Sequence, residues 1–151
     1  GLGDVYKRQR SATKNYINRR IFMSIFTEDL FEKGIKQRVS TVGEDYVKKN
    51  LEEADEFSRP FQEAMTAWCW GFGWGDEVID AKTRSMMNLS MIGALGKMTE
   101  WETHFRGAIN NGVSKNELRA IIHVIGIYCG VPQAVECFRV ARKVLEEENL
   151  I

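Results

Sequence analysis

The second half of the chain is dense with helix start and stop signals, and this limits the fold more than any other feature of the sequence. Ser114-x-x-Glu117 has capping-box spacing, and Leu118, Ile121, Ile122, Ile125 and Tyr128 follow at helical period. Gly130 stops that run and Pro132 opens another, with Val135, Phe138, Val140, Ala141 and Val144 on one face before the acidic Glu146-Glu147-Glu148. Upstream, Thr99-x-x-Glu102 offers a second capping box and Asn111-Gly112 a stop, around a stripe of Trp101, Phe105, Ala108 and Ile109. Amphipathic helices of this kind must bury one face against each other, so the spacing predicts an all-α, single-domain bundle. Two prolines in 151 residues and the scarcity of alternating Val or Thr runs argue against a sheet.

The first half is read the same way. Leu30, Phe31, Ile35 and Val39 recur at helical spacing from Thr27, and Thr41-Val42-Gly43 breaks them. A second helix is expected from about Glu44 to Ala54, with Tyr46, Val47 and Leu51 inside. Pro60 suits the first turn of a third helix, whose expected face is Phe61, Met65, Trp68 and Cys69. Trp68 to Gly75 then alternates large aromatics with glycines, which reads as an aromatic loop that covers the core or walls a pocket. Asp80 is placed to cap a fourth helix through about Leu95, apolar on more than one side and therefore central or at a subunit interface. Residues 1–22 are basic and polar without a stripe, and Gly1 to Gln9 resembles translated adapter sequence. The expected organisation is a non-native or disordered extension over 1–22 and one domain of about six helices over 23–151.

Lysine plus arginine equals aspartate plus glutamate at 21 each, which disfavours nucleic acid or an anionic membrane as partner. The apolar run from Ile121 to Val131 is too short to span a bilayer. Cys69, Cys129 and Cys137 form neither an even set nor a CxxC pair, so a reducing, cytoplasmic setting is expected. Two residues stand out chemically. His104 falls beside the Trp101 stripe and should point inward, a position more often filled by a hydrogen-bonded core histidine than by a catalyst. Arg84 sits in the first turn of its helix, against the preference of the helix dipole, where a guanidinium and free N–H groups suit a carboxylate.

Taken together, RPFQEAMTAWCWGFGWG, Thr83-Arg84-Ser85, the HFRGAINNGVS of His104 to Ser114, and the IYCGVP of Ile127 to Pro132 resemble the carboxymuconolactone decarboxylase family, in order and in spacing. The resemblance runs from about Phe26 to the C-terminus. It implies an all-α, alkylhydroperoxidase D-like bundle that assembles as a homo-oligomer, a trimer or hexamer. It also implies decarboxylation of 4-carboxymuconolactone or a related carboxylated lactone, with no metal or cofactor, because the lactone serves as its own electron sink. By motif position, Arg84 would anchor a carboxylate, His104 would be proton donor or oxyanion partner, and Glu100 would orient or charge His104. Trp70, Trp74 and Tyr128 would contact the substrate. The chain departs from the family pattern at Ala120, where an acid is common, and at Val124, where Gln or His is common, and carries His123 one place earlier.

Two other functions fit parts of the sequence. Thiol-dependent peroxidases of the same superfamily use a CxxC pair; here Cys129 and Cys137 are separated by the break at Gly130-Val131-Pro132, and Cys69 reads as a small core residue. A non-catalytic helical oligomer that binds a small molecule would also keep this scaffold.

Overall fold

Seven α-helices and one π-helical stretch make up the computed structural model, which describes residues 27–151 and contains no strand among them. The extension expected over 1–22 lies outside the described residues. Helix α1 (Glu28–Val42) is capped by Thr27, whose hydroxyl accepts from the Leu30 N–H at 3.3 Å. It ends at Gly43, where φ is 92°, a value that strains any residue with a Cβ, and α2 (Glu44–Glu52) starts immediately. Helix α3 (Arg59–Met65), with Pro60 in its first turn, runs without interruption into the π-helix Thr66–Trp74. Next come α4 (Ala81–Ala94), capped by Asp80, and α5 (Met98–Asn110). Helices α6 (Lys115–Cys129) and α7 (Val131–Glu147) meet at Gly130, whose φ of 100° makes the corner. None of the described helices is long and apolar enough to cross a membrane.

The core lies among α4 to α7. Leu89, Trp101, Phe105, Ala108, Ile122, Ile125, Cys137 and Val144 are all but inaccessible to solvent. The stripe expected from Trp101 through Ala108 is therefore the centre of the bundle. Trp101 also satisfies its only polar atom there, as Nε1–H donates to the Leu89 carbonyl at 3.1 Å. The capping box at Ser114 and Glu117 forms in both directions, and Lys82 Nζ meets Glu117 Oε1 at 2.8 Å, tying α4 to the start of α6.

Several local expectations are corrected. The box at Thr99 and Glu102 does not form: α5 begins earlier, with Lys97 as its N-cap and no side-chain cap bond. Glu102 instead meets Arg106 and Lys143, cations that hold its carboxyl below the usual range, Lys143 most strongly. The expected aromatic loop is helix. A π-turn takes more residues than an α-turn, so the buried positions shift to Thr66, Ala67, Trp70 and Gly71, while Trp68 and Cys69 turn outward. Cys69 is thus an exposed residue and not a core one.

The π-helix is locked against α1 by two glycines and one arginine. A Cβ on Gly34 would collide with the Thr66 carbonyl, and one on Gly71 with the Leu30 carbonyl, so the two backbones touch only because both residues lack side chains. Arg38, 2% exposed, donates from Nη1 to Thr66 Oγ1 at 3.0 Å and from Nη2 to Gln62 Oε1 at 3.1 Å. A guanidinium is thereby buried against neutral acceptors at the junction of α3 and the π-helix, and burial lowers its pKa.

Candidate active site

The π-helix exists at a specific place and has a specific product: it presents Trp70 and Trp74 to α5. Their rings stack at 4.9 Å between centroids, and both stack on the imidazole of His104, Trp70 at 5.7 Å with 11° between planes and Trp74 at 6.0 Å with 19°. Trp70 is buried and Trp74 partly so. His104 is on the flank of α5 beside the buried Trp101–Phe105 stripe, which leaves it half-buried between the bundle and the π-helix. Burial among indoles pushes its pKa down to about 4, against a smaller upward pull from Glu100. The resting imidazole is therefore neutral near pH 7, with one N–H to donate and one nitrogen to accept.

This depression has a measurable consequence for stability. The folded-state value lies below the ordinary 6.5, so the unfolded chain takes up the proton first. The cost of keeping His104 neutral grows as pH falls from about 6.5 towards about 4, and levels off below that. Urea midpoints measured across that interval are expected to fall more steeply for the wild-type protein than for a His104→Asn variant, the difference isolating this one group from the carboxylates.

Arg84 occupies the first turn of α4 as expected, but much of its fork is already committed. Nη2 donates to the carbonyls of Asp76 at 2.6 Å and Ile79 at 3.2 Å, stapling the turn that follows Trp74 to the helix. Its Nε is buried and makes no hydrogen bond among the described residues. Glu100 is exposed one turn before His104 and acts on it through charge. Tyr128, by contrast, is 83% exposed near the end of α6 and is not brought to the Trp70–Trp74–His104 stack. Ala120 and Val124 share its outward face at successive turns of α6. His123 is exposed too, its ring 5.9 Å from that of Phe138.

The thiols are arranged differently. Cys69 and Cys129 are exposed and Cys137 is buried in the core. Partial desolvation by its neighbours pushes the Cys69 thiol up and burial in the core does the same for Cys137, the opposite of what an attacking thiolate requires. Among the described residues, cavities are lined by residues other than the tryptophans. One of about 440 Å³ is bounded by Thr27, Phe31, Pro60 and Ala67, and one of about 280 Å³ by Phe105, Leu118, Ile122 and Phe138. Sequence reasoning missed Arg38, Gly34 and Asn88. The first two hold the π-helix in place, and Asn88, on α4, has a buried Oδ1 with no partner among the described residues.

The fold and site define an all-α helical bundle that sets a histidine against two stacked indoles, with an arginine on the neighbouring helix. The comparisons narrow the class. The model of the carboxymuconolactone decarboxylase family matches residues 59–143. The chain is 39% identical over 118 residues to nitrosuccinic acid decarboxylase of Metarhizium robertsii, covering 78% of this chain and 82% of the relative. It is 30% identical over 120 residues to 4-carboxymuconolactone decarboxylase of Acinetobacter baylyi, covering 80% of this chain and 90% of the relative. The chain belongs to the carboxymuconolactone decarboxylase family. Both relatives are decarboxylases, and carboxy-lyase is the activity class they support for this chain.

Proposed function

We propose that the protein decarboxylates a small dicarboxylic acid whose departing carboxylate sits on a carbon conjugated to an oxygen electron sink. The lactone carbonyl of 4-carboxymuconolactone and the nitro group of nitrosuccinic acid are both sinks of this kind, and these are the compounds in the names of the two relatives. In either, the bond to the carboxylate carbon breaks, its electron pair passes through the substrate carbon to the sink oxygens, and carbon dioxide leaves. A proton then returns to carbon, at the nitro-bearing carbon of nitrosuccinic acid and at the ring carbon beside the carbonyl of the lactone. The substrate stores the electrons itself, so the protein supplies hydrogen bonds, desolvation and a proton.

The observation that carries this reading is the neutral His104 stacked against two indoles. A neutral imidazole N–H donates to the oxygen on which charge develops, without the ion pair that an imidazolium would form with the starting carboxylate and so stabilise the ground state. The apolar faces of Trp70 and Trp74 withhold water from the departing carboxylate, which favours its conversion to neutral carbon dioxide. The higher identity to the nitrosuccinic acid enzyme favours the nitro acid as the better substrate. Supplying each compound to the purified protein and following carbon dioxide release tests this directly. Turnover of nitrosuccinic acid in preference to the lactone is the expected result, and a protein that leaves both intact would refute the proposal.

A homo-oligomer is part of the same reading. Met87, Met91 and Leu95 on α4, Ile127 and Tyr128 on α6 and Val131 on α7 are all strongly exposed, and apolar surface on this scale calls for a covering partner. A second copy of the chain is the occupant that the family resemblance supplies. Sedimentation velocity would return a trimer or hexamer, and a monomer at micromolar concentration would remove this part.

A further inference from the structure

Two buried polar atoms have no hydrogen-bond partner among the described residues, Arg84 Nε and Asn88 Oδ1, and they belong to residues one turn apart on the same flank of α4. A buried polar atom without a partner costs free energy, and these two, a guanidinium donor and an amide oxygen, stand at successive turns of one helix. Both are linked to the His104 site through neighbouring segments. Arg84 is tied by Nη2 to Asp76 and Ile79, in the turn that follows Trp74, and Trp74 stacks on His104. Asn88 is placed by the pairing of α4 with α5. Asn111 Nδ2 donates to Ser85 Oγ at 3.0 Å and Trp101 Nε1 to the Leu89 carbonyl, so the helices run antiparallel and Asn88 lies level with the stretch of α5 between Trp101 and Asn111, which contains His104.

We infer that Arg84 Nε–H and the Asn88 side-chain amide together hold the substrate carboxylate that is retained through the reaction. This rests on the proposed decarboxylase reading and names the substrate feature that the site selects. The amide turns about its last torsion to place Nδ2 where Oδ1 stands, which gives two donors converging on one anion, with the guanidinium charge behind them. The choice of the retained carboxylate over the departing one follows from the chemistry. A cation paired with the departing group would stabilise it most before bond cleavage, when its charge is still present, and would raise the barrier. An anchor on the other carboxylate is neutral with respect to cleavage and sets the departing group against the indoles. Asn88 is thus a specificity residue for dicarboxylates.

The test uses succinate, a dicarboxylate with no electron sink that can bind but not react. Asn88→Leu keeps the branching and the number of side-chain heavy atoms and removes the polarity. In the absence of ligand it is expected to melt at the wild-type temperature or above, because it deletes an unsatisfied buried group. Its affinity for succinate by calorimetry should fall about ten- to a hundredfold, the worth of a hydrogen bond to a charged group. Arg84→Met should weaken succinate in the same way, and propionate, with one carboxylate, should bind the wild type less tightly than succinate does. Equal succinate affinity in wild type and Asn88→Leu, or a wild type that binds no succinate at millimolar concentration, overturns the inference. So does an Asn88→Leu variant that melts well below the wild type, since Asn88 would then have a structural partner. A wild type that binds succinate through Asn88 yet releases carbon dioxide from neither candidate substrate keeps this site and refutes the decarboxylase reading instead.

Discussion

His104→Asn is expected to lower kcat for decarboxylation by about 10²–10³-fold, the usual loss when a donor to a developing oxyanion is removed. The Asn amide is polar but short, and from the flank of α5 it cannot reach where the imidazole edge lies against Trp70 and Trp74. KM should change far less, because His104 donates most strongly to charge that exists only in the transition state. The variant should fold, since the substitution removes a group that is held neutral at a cost. Carbon dioxide release under saturating substrate measures the effect, with circular dichroism as the check on folding. A variant retaining most of the wild-type kcat would place the chemistry elsewhere.

Gly34→Ala and Gly71→Ala should each destabilise the protein by about 1–3 kcal/mol, in the range of overpacked sites, and should abolish most activity at the same time. Each added methyl meets backbone carbonyl, the Thr66 carbonyl in one case and the Leu30 carbonyl in the other, and a carbonyl in a helix cannot rotate aside as a flexible side chain does. Relief comes only if α1 and the π-helix separate, and such a movement carries Trp70 and Trp74 away from His104. Gly73→Ala is the matched control within the same segment. The nearest atom to its new methyl is the Trp68 carbonyl at 3.7 Å, an ordinary contact, so denaturant midpoints for Gly73→Ala should stay near the wild type. A comparable loss for Gly73→Ala would contradict close backbone approach as the cause, since helix propensity by itself favours alanine over glycine.

The bundle itself was legible because its signals are local. Caps at Asp80 and Ser114, the start of helical spacing at Thr27, stops at Gly43 and Gly130, and the 3.6-residue period through Trp101 and Phe105 all map onto observed helix ends and buried faces. The π-helix was not legible, because its cause lies outside its own sequence. Trp68 to Gly75 alone reads as a loop, and only the approach of α1 at Gly34, with Arg38 bonded to Thr66, winds it into helix and rotates Trp70 inward. The same limitation applied to α1, where Gly34, Arg38 and Thr41 are buried while Leu30, Phe31, Ile35 and Val39 are only partly so. A face that packs backbone to backbone uses small and polar residues, and hydrophobic periodicity points to the wrong stripe.

The site divided along similar lines. Family resemblance pointed to His104, Trp70 and Trp74, which the fold brings into one stack. It also pointed to Arg84, and nothing in the first turn of a helix could foretell that Nη2 would be spent on Asp76 and Ile79. Tyr128 sits on a helix whose period is plain, yet its outward placement depends on which face of α6 the core takes. Asn88 gave no signal at all. A single polar residue in a methionine-rich helix becomes informative only when its Oδ1 is found buried and unpaired beside Arg84 Nε.

The central claim is that His104 works as a neutral donor, and the pH dependence of kcat/KM tests it most directly, since that ratio reports ionisations of the free enzyme. With the imidazole pKa pushed down to about 4, activity should be level through the neutral range and should fall only as the histidine gains its proton in acid. A profile that instead declines as pH rises through about 6.5 would show that the protonated imidazolium is the working form. That result would contradict the account.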